Sequence, residues 1–122
     1  MPIRCLIVDD NEAFLAAASV LLEREGLTVA VASTGAQALR QARSLRPDVA
    51  LIDISLGEES GLDLARRLAE DGLDDGAAVV LISTRAEDEV ADLIAGCPVA
   101  GFLPKSELSA SAIRRITDGR SQ

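Results

Sequence analysis

Histidine, tryptophan and tyrosine are absent from this chain. Without histidine there is no Ser-His-Asp or Cys-His nucleophilic system and no histidine-based metal site. The two cysteines, Cys5 and Cys97, are too far apart for a CxxC pair and too few for a disulfide framework. Both sit in apolar runs and are expected as buried structural thiols. Phe14 and Phe102 are the only aromatic residues, which excludes a base-stacking platform. Positive charge is also short, with 12 basic against 20 acidic residues and a formal net charge of -8. A duplex-binding module needs a basic face to displace counterions, so no direct nucleic-acid binding by these residues is expected. No apolar run approaches the length of a membrane span, and the start Met1-Pro2-Ile3-Arg4 has no signal-peptide pattern. The expectation is a cytoplasmic domain with no membrane partner.

What is present is a core's worth of apolar residues, 48% of a 122-residue chain, in short runs that alternate with amphipathic segments. Ile3 to Val8 is too short for a helix and ends at Asp9-Asp10. From Asn11, a good N-cap, the period changes, and Phe14, Ala18, Leu21 and Leu22 share a helical face that stops at Gly26. Leu27 to Ala32 reads as a strand. Thr34 opens a helix with Ala38, Ala42 and Leu45 inward, ended before Pro47. The second half repeats this rhythm. A buried strand, Val49 to Ile52, ends at Asp53; a loop over Ser55 to Ser60 follows, with Ser60 and Asp63 spaced as a capping box for a helix from Gly61 to Glu70. After an acidic loop, Asp71 to Gly76, come the strand Ala78 to Ile82, a helix marked by Ala86, Val90, Leu93 and Ile94, and the strand Val99 to Leu103. Ser109 caps a final helix with Ala112, Ile113 and Ile116 inward, ending near Gly119. Five apolar strands in strict alternation with five helices predict an α/β fold, a parallel sheet covered on both faces.

In a doubly wound sheet, ligands bind beyond the carboxyl ends of the strands. Four of the five strand ends carry chemistry: Asp9-Asp10, Asp53, Ser83-Thr84 and Pro104-Lys105; the second ends in uncharged Ser33-Thr34. Carboxylates crowded together repel unless a cation joins them, and oxygen-only ligands suit a hard ion such as Mg²⁺. A hydroxyl and a compact ammonium, Ser83 and Lys105, suit a tetrahedral oxyanion. Lys105 is the one lysine among 12 basic residues, placed where a point charge rather than a planar fork is wanted. Taken singly, each feature has a plainer reading. An isolated Asp-Asp pair after a strand is more often a helix cap, Asp53 can start a turn, Ser83 can cap, and Lys105, like Gly57-Glu58-Glu59, can be solvated loop. Their arrival on one rim together favours the functional reading.

These residues resemble the receiver domain of two-component response regulators. The resemblance spans essentially the whole chain and rests on LIVDD (Leu6 to Asp10), ALIDISLGEESGLDL (Ala50 to Leu64), VVLIST (Val79 to Thr84), GFLPKSEL (Gly101 to Leu108) and the Asp53-to-Gly61 spacing. It implies a flavodoxin-like sheet of order 2-1-3-4-5, and a single receiver domain over 1-122 with no output domain in this chain. By position, Asp53 would be the phosphoacceptor for a histidine kinase or phosphotransfer protein. Asp10, Asp53 and the Ser55 carbonyl would ligate Mg²⁺ or Mn²⁺, with Asp9 acting through water. Lys105 and Ser83 would bind phosphoryl oxygens, and Phe102 would rotate inward as a switch, reshaping the face of the fourth helix, fifth strand and fifth helix for partner binding or homodimerisation. Ser55, Thr84 and Arg85 would shape water's access to the site, with Glu58 or Glu59 a candidate partner for Arg85. The implied role is a phosphoacceptor rather than an enzyme.

The chain departs from the family's usual pattern at Gly57, where many members have proline, and at Ser106 after the lysine, where another proline is common; with Pro104 before the lysine instead, no cis bond is expected. Two other readings compete. One is a phosphorylation-independent receiver acting as an interaction scaffold. The other is an aspartyl-phosphate phosphatase, which wants a second acid where Ser55 stands. Neither a Walker-type loop nor GxGxxG follows the first strand. The segment GFLPKSELSASAIRRI resembles receivers that precede helix-turn-helix output domains.

Overall fold

The computed structural model describes residues 3-72, 78-85, 87-95 and 99-120. Five strands, β1 (Arg4–Val8), β2 (Thr28–Ala32), β3 (Val49–Asp53), β4 (Ala78–Ser83) and β5 (Gly101–Pro104), form one parallel sheet in the order 2-1-3-4-5. Five α-helices connect or follow them: α1 (Glu12–Arg24), α2 (Gly35–Leu45), α3 (Gly61–Arg67), α4 (Glu87–Ile94) and α5 (Ala110–Arg120). β3 and β4 are buried at every position, as expected of strands covered on both faces, whereas β2, at one edge, exposes Thr28 and Val31.

The alternation of side chains along each strand sorts them into two cores. Leu6, Val8, Ala50, Ile52, Val79, Leu81 and Phe102 join Ala38 and Ala42 of α2, Leu64 and Ala65 of α3 and Val90 of α4. Cys5, Ile7, Val49, Leu51, Val80 and Ile82 join Leu15, Ala18 and Leu22 of α1 and Ala110 and Ile113 of α5. Each fully buried leucine or isoleucine, such as Leu22 or Ile113, contributes about 1.5–3 kcal/mol by leaving water. Cys5 is one of these core residues, and burial pushes its thiol up to about 12, so it stays protonated and inert. Cys97 and Ala86 lie outside the described residues.

Local signals set most of the element ends. Asn11 accepts from the Phe14 N–H and Thr34 from the Gln37 N–H, while Ser60 and Ser109 do the same for the Asp63 and Ala112 amides. α1 closes with Gly26 at φ +98°, its N–H bonded to the Glu23 carbonyl and the Leu27 N–H to that of Leu22. α2 ends at Arg46 in the left-handed region, directly before Pro47.

Three details differ from the sequence expectation. Leu21 is 43% exposed, and Leu15 takes the inward place instead. At about 100° per residue, Leu15, Ala18 and Leu22 fall within about 60° of one another, with Phe14 on the rim of that arc and Leu21 beyond it. The expected loop over Ser55 to Ser60 is a small antiparallel hairpin, Ser55–Leu56 against Glu59–Ser60, turned at Gly57 with φ +59°. The third helix is α-helical only to Arg67 and then widens into a π turn, Leu68–Gly72; the rest of the expected acidic loop lies outside the described residues.

Candidate functional site

The sheet brings the carboxyl ends of β1, β3, β4 and β5 to one rim. Asp9 follows β1 and is fully buried; its N–H donates to the Ala32 carbonyl at 3.1 Å, and its Oδ1 accepts from the Asn11 N–H at 2.9 Å. Asp10, one residue on, is exposed. Asp53 closes β3, buried, with Oδ1 accepting from the Ser55 N–H at 3.0 Å. Single ligand oxygens of Asp9, Asp10 and Asp53 all lie within 4.8 Å of one another.

Lys105 opens a 3₁₀ turn, Lys105–Glu107, immediately after β5. Its Nζ reaches Asp9 Oδ2 at 2.5 Å and Asp53 Oδ2 at 3.0 Å, with only 13% of the side chain exposed. Burial alone would lower the ammonium's pKa; the hydrogen bonds and charges of Asp9 and Asp53 outweigh it and raise the pKa above the ordinary lysine value. One ammonium against three carboxylates leaves the rim short of positive charge. Its donors are oxygens only, partly buried and partly open through Asp10, which fits a small hard cation and leaves room for water or phosphate ligands.

Ser83 at the end of β4 is buried, and its Oγ accepts from the Arg85 N–H at 3.0 Å. Thr84 and Arg85 are exposed, as is Ser55 across the rim. Among the described residues Arg85 forms no ion pair with Glu58 or Glu59, so the expected screening pair is absent. Glu59 is engaged elsewhere: both its carboxylate oxygens accept from the Gly35 N–H, at 3.3 and 3.0 Å, at the first turn of α2. Phe102 of β5 is 9% exposed and lies in the core cluster with Val90, so an inward position is already occupied here. No peptide bond among the described residues is cis, in keeping with Ser106 after the lysine.

Three residues take on roles at the rim that the sequence does not assign them. Gly61 is required where it stands, because a Cβ there would lie 1.7 Å from the Asp53 carbonyl oxygen; its N–H also donates to the Ile54 carbonyl at 2.9 Å. α3 thus starts hard against the strand end that carries Asp53. Only the spacing from Asp53 hinted at this glycine. The sequence places Glu59 in a solvated loop or beside Arg85, and nothing in it pairs this residue with a glycine 24 residues away. Phe14 packs, partly buried, against the α1-side core as its helical face predicts, and its ring centroid also lies 4.5 Å from Lys105 Nζ, a contact the sequence does not signal.

A family model described as the response regulator receiver domain matches residues 5–117. The chain belongs to that family. The receiver is 36% identical over 100 residues to a Mycobacterium tuberculosis protein named "Probable transcriptional regulatory protein TcrX", covering 82% of this chain and 41% of the relative. It is 34% identical over 93 residues to the DNA-binding response regulator MtrA of Mycolicibacterium smegmatis, covering 76% of this chain and 39% of MtrA. The chain therefore spans about two-fifths of the length of these relatives. Among solved structures, it superposes with a TM-score of 0.82 and 27% identity on a response regulator protein from Burkholderia pseudomallei, over 98% of this chain and 69% of that one. That structure is described as holding a phosphorylated aspartic acid, a calcium ion and citrate.

The receiver is thus a two-component signalling domain of the five-stranded parallel type, and its sheet order is the expected one. Its family signals rather than turns over a substrate. Among the described residues, no helix is long and apolar enough to cross a membrane.

Proposed function

We propose that residues 1-122 act as a phosphoacceptor switch, with Asp53 taking a phosphoryl group from the phosphohistidine of a kinase or phosphotransfer protein. The observation that carries this is Lys105 Nζ held between Asp9 and Asp53, at 2.5 and 3.0 Å, beside the open carboxylate of Asp10. In the transfer, an Asp53 carboxylate oxygen forms the new O–P bond while the P–N bond to the imidazole breaks and its electron pair returns to that ring. Such a reaction needs positioning and charge neutralisation more than proton transfer, which suits a rim without histidine.

Asp10, Asp53 and the Ser55 backbone carbonyl would hold Mg²⁺ or Mn²⁺, with Asp9 assisting through water. A divalent ion bound there supplies neutralisation for the incoming phosphoryl oxygens. Lys105 leaves one of its carboxylates to bind a phosphoryl oxygen, and the Ser83 hydroxyl, freed from the Arg85 N–H, donates to another. Ser55, Thr84 and Arg85, exposed around the rim, set how easily water reaches the acyl phosphate. Because Phe102 is already buried, its part in the switch is a change of packing, with phosphorylation locking the inward ring through Ser83 and so stabilising one form of the α4-β5-α5 face. Phosphate then works as a ligand with different affinity for two states, and that face selects a partner or a second copy. The DNA-binding regulators among its relatives support transcription as the output.

The test is intact-mass analysis after incubation with acetyl phosphate. One added phosphate that requires Mg²⁺ and disappears in Asp53→Asn is expected. A chain that neither gains phosphate nor binds beryllofluoride with Mg²⁺ would overturn the proposal in favour of a phosphorylation-independent scaffold.

A further inference from the structure

The single lysine has a third neighbour besides its two carboxylates. Phe14 sits in the first turn of α1, its N–H bonded to the Asn11 cap at 3.1 Å, and its ring centroid lies 4.5 Å from Lys105 Nζ. The segment that delivers the Asp9 carboxylate to the lysine therefore also delivers an aromatic face, since Asp9 itself binds the Asn11 N–H. A cation within about 6 Å of a ring centroid is attracted by the ring's quadrupole, more strongly when partly desolvated. Lys105 is in that condition, with 13% of its side chain exposed.

We propose that Phe14 is a positioning residue for the phosphoryl chemistry and acts through Lys105; this rests on the reading of Lys105 as a phosphoryl-oxygen ligand. The argument concerns what kind of third partner this ammonium can have. Its four-carbon stem is flexible, and without a further contact it swings to water whenever one carboxylate is given up. A third carboxylate would hold it but would compete with the incoming phosphoryl anion. The neutral ring face attracts the charge without offering an anionic oxygen. Lys105 can then pivot from a carboxylate to a phosphoryl oxygen while keeping one contact fixed. An aliphatic side chain in the same place fills space and lacks the quadrupole.

Because Lys105 is the only lysine, the full chain labelled with ¹³C-lysine gives a single ε-methylene signal. In the wild type that signal is displaced upfield by the ring current. It returns to the ordinary lysine position in Phe14→Leu and stays displaced in Phe14→Tyr, with melting curves run on all three chains. In parallel, the acetyl phosphate phosphorylation rate with saturating Mg²⁺ falls about tenfold in Phe14→Leu and recovers to within about twofold of wild type in Phe14→Tyr. An undisplaced wild-type signal overturns the proposal, as does an unchanged rate in Phe14→Leu. Equal slowing by leucine and tyrosine overturns it too, because that marks loss of packing alone. Should Phe14→Leu fail to fold, Phe14→Met serves in its place under the same criteria. A wild-type chain that takes no phosphate at all defeats the functional reading, while the methylene signal still reports on the contact.

Discussion

The two ends of the parallel sheet handle charge in opposite ways. At the amino end, Arg4 before the β1 core faces Asp48 before β3, with Nε to Oδ2 at 3.8 Å and side chains 45% and 49% exposed. The Arg4 guanidinium also donates to the Leu45 carbonyl, and the backbones of Arg4 and Asp48 bond to each other. At the carboxyl end, the half-buried Lys105 lies between the buried Asp9 and Asp53, with more carboxylate than it can neutralise. The first pair is a solvated tie at a strand start and gains little from its charges. The second takes ionised groups out of water and leaves them unbalanced, which raises the cost of the folded state. A fold does not need that arrangement, so its presence on one rim supports placing the proposed phosphoryl chemistry there.

Substitutions at four positions sharpen or break this contrast. The largest effect is expected at the back of the rim. Gly61→Ala places a Cβ 1.7 Å from the Asp53 carbonyl oxygen, which only backbone movement can relieve, and should cost about 3 kcal/mol or more in a urea unfolding experiment. Lys105→Met comes next, with a loss of about 2–3 kcal/mol in metal-free buffer, because Asp9 and Asp53 are left together without their cation. Divalent metal should restore more stability to this variant than to the wild type.

The same pair sets a pH window. The folded Lys105 pKa is raised, so its stabilisation is complete below the unfolded lysine value of about 10.4 and is lost only as pH rises through the folded value. Wild type and Lys105→Met should therefore differ by a constant amount across neutral pH and converge in strong base. Convergence near neutrality would contradict the ion-pair account.

Glu59→Ala removes the carboxylate from the start of α2 and should cost about 1 kcal/mol, with Glu59→Gln recovering part of it. The hairpin carrying Ser55 is tied through the same residue, so the variant should also weaken Mn²⁺ binding modestly, as read by titration. Arg4→Ala, at the opposite end, should change stability by about 0.5 kcal/mol or less and leave phosphorylation untouched. A larger effect there than at Glu59 would undo the contrast between the two ends.

What the sequence made readable follows from the range of the forces involved. Strand-end residues such as Asp53 and Lys105 were found because apolar runs and their endings are local, and the parallel-sheet rule converts endings into a rim. The caps at Asn11, Thr34, Ser60 and Ser109 were equally visible, being bonds across three residues. The Glu59 bond to Gly35 and the Phe14 ring beside Lys105 join segments far apart in the chain, and no periodicity encodes such contacts. Leu21 failed for a subtler reason: the helical period gives an arc, while the position of the sheet decides which edge of it is buried. The Ser55 to Ser60 hairpin escaped because its two-residue strands are too short to show alternation.

The most direct test of the central claim is to locate the phosphate. The chain is phosphorylated with acetyl phosphate and Mg²⁺ and reduced with borohydride, which converts an aspartyl phosphate to homoserine, and the peptides are then sequenced by mass spectrometry. Homoserine at position 53 alone is the predicted result. Homoserine at position 9 or 10, or a stable phosphate on a serine or threonine of the rim, would contradict it.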